Sequence, residues 1–111
     1  MVEKIYKGTD VKLNIHIDPI ASQHMESYSF TLTFYTSDGK KKVFSKTNTS
    51  LSGGLHKLDA DNYFVCLQSD SLGEGNVKCK IEAEILDART NTYKTEITII
   101  PCNIKIVPWD V

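Results

Sequence analysis

The sequence predicts an all-β fold arranged as a two-layer sandwich, and three observations carry that expectation. Apolar residues recur at every second position in several short runs. Turn signals separate the runs at roughly ten-residue intervals. No stretch keeps an apolar stripe at helical spacing. The clearest run is Val77, Cys79, Ile81, Ala83 and Ile85, with Lys78, Lys80, Glu82 and Glu84 between them. Such alternation is a strand with one dry and one wet face. Asp87-Ala88-Arg89-Thr90-Asn91-Thr92 then supplies a turn, and Tyr93, Thr95, Ile97 and Ile99 repeat the pattern against Lys94, Glu96 and Thr98. The two runs read as an antiparallel hairpin with both apolar sets on its inner face. Burying about eight such side chains contributes roughly 1.5–3 kcal/mol each before entropy is subtracted. A lone hairpin is marginal in water, so a second sheet must cover it.

The remaining elements follow in order. Lys4 to Lys7, ended by Gly8, reads as a short edge strand. Val11, Leu13, Ile15 and Ile17 alternate with Lys12, Asn14, His16 and Asp18, and Pro19 closes that strand because it cannot extend a ladder. Residues 20–27 form a polar connection. Phe30, Leu32 and Phe34 point inward on the next strand and Tyr35 outward, before Ser37-Asp38-Gly39 turns the chain; glycine supplies the positive φ a hairpin needs. Lys41 to Ser45 returns as a weaker strand around Val43 and Phe44. Residues 46–54, rich in Thr, Asn, Ser and Gly, read as a surface loop, and Leu55 to Leu58 as a short strand. Tyr63-Phe64-Val65-Cys66-Leu67 is apolar enough for a strand covered on both sides. Residues 69–76 form a loop with a helical turn at Ser71-Leu72, Asn103 to Val107 a closing strand, and 108–111 a tail. The sum is seven to nine strands in a single domain spanning 1–111, with a small closed barrel as the alternative.

Composition narrows the function. A length of 111 residues makes one domain and not two. The net charge of −1 lacks the basic stripe of a nucleic-acid binder; Lys40-Lys41-Lys42 is one charged hairpin tip. No run is long and apolar enough for a membrane helix, so no membrane partner is expected. The opening Met1-Val2-Glu3-Lys4-Ile5 has no charged region leading into an apolar one, so no secretory signal is expected. Three cysteines without CxxC spacing predict free, buried thiols rather than a disulfide framework.

Chemistry-bearing motifs are absent from the pattern. His16, His24 and His56 fall on separate segments without ligand spacing, and His16 is expected to point outward. Glu82 and Glu84 share an outer strand face beside Lys78 and Lys80, where they serve solubility rather than acid–base work. The glycines at 53–54 and 73–75 lack the following Lys-Ser/Thr of a phosphate loop. Tyr63 precedes Cys66 by three residues, which puts the two on opposite faces and breaks the tyrosine-corner spacing. The sequence therefore predicts no enzyme, no cofactor and no metal. Exposed aromatics are the contact candidates: Tyr6, Tyr35, and Trp109 after Pro108.

The opening Lys4-Ile5-Tyr6-Lys7-Gly8-Thr9-Asp10-Val11-Lys12-Leu13-Asn14-Ile15 resembles the start of tailed-phage structural domains, in which a Gly-Asp-like turn feeds a first long strand. Phe30-Thr31-Leu32-Thr33-Phe34-Tyr35 with Asp38-Gly39, the Lys78 to Leu86 strand, the Asp87 to Thr92 turn and Ile104-Lys105-Ile106 continue the likeness. It spans roughly residues 4–107 and is one of strand order and turn placement. It resembles the N-terminal immunoglobulin-like domain of phage upper-baseplate proteins, and equally the small immunoglobulin-like domains that decorate phage capsids. Thr9 between Gly8 and Asp10, and the longer 46–54 loop, depart from the pattern. The resemblance implies an immunoglobulin-like β-sandwich of two antiparallel sheets. It implies a non-enzymatic virion protein, assembled in the host cytoplasm, that decorates a capsid or acts as an adaptor in a tail, baseplate or fibre. Its partners would be capsid, tail or fibre subunits, or further copies of itself, met by strand addition and aromatic anchors. From a different class, a glycan- or cell-surface-binding module would use Tyr35 and Trp109 as its platform.

Overall fold

The computed structural model describes residues 2–87 and 89–108. Nine strands follow one another: β1 (Glu3–Tyr6), β2 (Asp10–His16), β3 (Ser29–Tyr35), β4 (Lys41–Thr47), β5 (Ser50–Leu51), β6 (Leu55–Asp59), β7 (Asn62–Gln68), β8 (Gly75–Asp87) and β9 (Thr92–Val107). Short 3-10 turns stand at Met25–Ser27 and Ser69–Ser71. The strands form a six-stranded sheet, ordered β1-β9-β8-β3-β4-β5, and a three-stranded sheet, ordered β2-β7-β6. The molecule measures 58 × 24 × 23 Å. Its long dimension matches the 16 residues of β9, about 53 Å at the rise of an extended strand.

The sheets meet face to face because both carry the alternation the sequence shows. Phe30, Leu32 and Phe34 of β3, Phe44 of β4, and Val77, Cys79, Ile81, Ala83 and Ile85 of β8 face Ile15 of β2, Leu55 of β6, and Tyr63, Val65 and Leu67 of β7; all are buried. An edge-to-face pair joins the layers, with Phe30 and Tyr63 centroids 5.3 Å apart, and a second, Phe34 and Phe44 at 5.8 Å, packs within the larger sheet's inner face. Met25, in the connection read as polar, and Tyr28, just after it, close one end of this core. Lys46 faces inward as well, 4 % exposed, and its Nζ donates to the Tyr28 carbonyl at 2.7 Å. Burial holds that amine below the usual lysine range.

At the opposite end, Thr36 Oγ1 donates to Asp38 and accepts from the Gly73 amide at 2.9 Å. A Cβ at Gly73 would lie 1.6 Å from Asp38 Oδ2, so any side chain here must displace the Asp38 carboxylate from Thr36. The β3–β4 turn and the β7–β8 loop are thereby locked together.

Several expectations are corrected. Tyr93, Ile97 and Ile99 face solvent instead of the core. The register pairs Ile97 with Glu82 and Ile99 with Lys80 on the outer face, and sets Lys94, Glu96 and Thr98 opposite Ile85, Ala83 and Ile81 on the inner one. The cause lies farther along the same strand. Ile104 and Ile106 are buried, and a register shift of two residues beside Asn103, at φ +59°, leaves their parity unchanged, so Cys102 and Ile100 also point inward. The sheets are not purely antiparallel either, since β1 runs parallel to β9. The Lys7–Thr9 turn, with Gly8 at φ +100°, sends the chain across to the other sheet, so β1 has no returning neighbour. Residues 46–54 are not all loop: β4 runs through Thr47, and Ser50–Leu51 pairs with it. β7 is covered on one side only, leaving Cys66 exposed rather than buried. The 3-10 turn precedes its expected place by two residues, at Ser69–Ser71.

Candidate protein-contact surface

Strand β9 has two unlike halves. At Lys105 and Ile106 it is paired on both sides, with β8 and β1, and β1 alone also pairs Ile104 and Val107. From Thr92 to Pro101 it pairs with β8 alone, so among the described residues its other edge meets no strand. Backbone donors and acceptors along such an edge are a ready template for another strand. The side chains on the free half are unusual for a solvated edge. Tyr93 is 72 % exposed, and Ile97 and Ile99 57 % each. On the inner face, Lys94 Nζ stands 3.0 Å from Glu96 Oε1. The inner side is open as well. A depression of about 310 Å³ lies among Ile20, Ile85, Arg89, Lys94 and Glu96. A second, of about 200 Å³, lies among Ile17, Ile20, Glu96, Thr98 and Ile100.

The residues singled out by sequence are not gathered at one place. Tyr6 is exposed at the end of β1. Tyr35 is half-buried on the outer face of β3, between Lys41 of β4 and Lys78 of β8, beside a depression of about 190 Å³ that also touches Thr36, Ser37 and Asn76. Strands β9 and β8 separate the two tyrosines, on the order of 14 Å across the sheet. Trp109 lies outside the described residues. The apolar trio on β9 was missed by sequence reasoning. Its signal was present: Ile99 and Ile100 occupy opposite parities of one strand, so only one of them can face the core.

The polar end of the sandwich, where β2 and β7 meet, holds two histidines. His16 Nε2 donates to Asp18 Oδ1 at 2.9 Å, and its Nδ1 faces the Asp61 carbonyl and Asn62 Oδ1 at 3.1 and 3.0 Å. Asn62 Nδ2 donates to Asp59, which fixes the amide orientation. Both ring nitrogens therefore meet acceptors, a set that only the imidazolium satisfies fully. The hydrogen bond to Asp18 raises the His16 pKa, while His24 on Asp61 lowers that carboxyl. Asp61 also accepts from the Met25 amide, so this cluster ties residues 16–25 to the β6–β7 turn. Among the described residues no three His, Cys, Asp or Glu side chains are placed to hold a metal ion. Burial pushes the Cys79 thiol up to about 12 and Cys102 to about 11, far from the thiolate a nucleophile requires.

Comparison with known proteins adds no assignment: no protein-family model matches the chain, and no curated protein is similar to it.

Proposed function

We propose that the chain is a non-enzymatic structural module of a phage virion, decorating the capsid or linking parts of the tail, baseplate or fibre through protein–protein contacts. The observation that carries this reading is the half-paired β9, with an open edge and an exposed apolar row on a surface whose ionisable groups serve fold and solubility. The proposal includes an immunoglobulin-like sandwich, and the strand order supports it. In the variable-type immunoglobulin sandwich, strands A-B-E-D face G-F-C-C′-C″. Here β2-β7-β6 occupies the places of B-E-D and β9-β8-β3-β4-β5 those of G-F-C-C′-C″, with β1 moved from the first sheet to the edge beside β9.

Antibodies against the purified chain test the assignment on phage particles banded by density from the source culture. The expected result is stoichiometric presence of the chain in intact particles. Absence from particles, together with saturable binding of the chain to one class of sugar, would replace the proposal with the glycan-binding reading.

A further inference from the structure

The free half of β9 is complementary to itself. We propose that this edge is the interface between two copies of the chain, which pair β9 to β9 in antiparallel fashion about a two-fold axis at Thr95. The inference is independent of the virion assignment.

Antiparallel pairing of two copies places residues of like face opposite one another, and the position of the axis fixes every pair. With the axis at Thr95, Lys94 of each chain stands opposite Glu96 of the other, and Tyr93 opposite Ile97. Thr92 then meets Thr98. The existing Lys94–Glu96 contact of 3.0 Å within each strand becomes part of a four-charge array of alternating sign. The inner face thus pairs charges, and the outer face covers the exposed Tyr93 and Ile97 side chains on both sides of the axis. Neighbouring registers lose the charge pairs. Moving the axis one residue forward sets Glu96 against its own copy, and one residue back sets Lys94 against its own copy; like charges directly opposed across strands destabilise.

Inward-pointing charges on an edge strand commonly prevent strand addition. Here the two charges have opposite sign and sit two residues apart, so they exclude a generic apolar strand yet accept this one in one register. The depressions on the inner side of β9 leave room for the copy's inner side chains. A ladder from Thr92 to Thr98 is small among specific interfaces, which puts the expected dissociation constant roughly in the micromolar range.

Sedimentation of the full chain over a concentration series tests this. The wild type is expected to dimerise. Lys94→Glu and Glu96→Lys each face like charges across the axis and are expected to weaken the dimer about tenfold or more. At concentrations where the chain is monomeric, circular dichroism melts of the two variants should change little, because Lys94 is exposed and Glu96 partly so. An equimolar mixture of the two variants restores both opposite-sign pairs and is expected to dimerise again. In a Cys66→Ser background, Thr95→Cys should cross-link to its copy on mild oxidation, while Ile99→Cys should not. A wild type that stays monomeric overturns the proposal. Single variants that dimerise as well as the wild type, or a mixture no tighter than its components, overturn it equally.

Discussion

The two halves of β9 share one strand, one partner and one alternating pattern, yet they resolve that pattern in opposite ways. Near Ile104 and Ile106 the apolar side chains are buried, and β1 and β8 flank the strand. Near Ile97 and Ile99 the apolar side chains are outside, and Lys94 and Glu96 occupy the inner face. Alternation says that a strand has two faces. Which face is dry depends on what covers the strand, and because the register shift beside Asn103 spans two residues, one parity stays inward along the whole length of β9.

Substitutions sharpen this contrast, beginning with the covered half. Ile106→Ala removes a fully buried side chain beside Ile5 of β1 and is expected to cost about 2–5 kcal/mol in chemical denaturation. Gly73→Ala probes the same end of the sandwich. Its Cβ would enter the space of the Asp38 carboxylate, break the Thr36–Asp38 bond, and cost about 1 kcal/mol. On the free half, Ile97→Thr should shift stability by no more than about 0.5 kcal/mol in the monomer. Equal losses at Ile106 and Ile97 would erase the distinction between the halves.

The smallest effect concerns the segment beside the free half, tied by His16 and His24 in addition to the packing of Ile17, Ile20 and Met25. The His16 pKa is raised above 6.5, so its contribution to stability is full below the unfolded value and is lost as pH rises through the folded one. The Asp61 pKa is lowered below 3.8, so its contribution is present above that value and is lost as pH falls through the folded one. The clamp is therefore strongest between about pH 4 and 6.5. Replacing Asp18 by Asn should move the His16 titration back toward 6.5, read from its ring-proton NMR shifts. No change would mean that the Asp61 carbonyl and Asn62 alone hold the imidazolium.

Much of the architecture was legible in the sequence. The alternations at Val11–Ile17, Phe30–Phe34 and Val77–Ile85 gave strands in place, with Cys79 inward and Tyr35 outward. Legibility ended where side chains did not decide the face. β9 carries isoleucine at both parities around Ile99-Ile100, and only the register with β8 selects between them. The parallel β1–β9 pair and the inward Lys46 were hidden for a similar reason. A lysine among Thr and Ser looks solvated until the carbonyl it caps, that of Tyr28, is known.

That lysine has a practical consequence. Among the described residues Lys46 is the one buried amine, enclosed where the two layers close around Tyr28. Acylating reagents will mark the outer lysines of the intact molecule long before this one. Delayed modification at Lys46 makes the chain its own clock for how often the sandwich gapes.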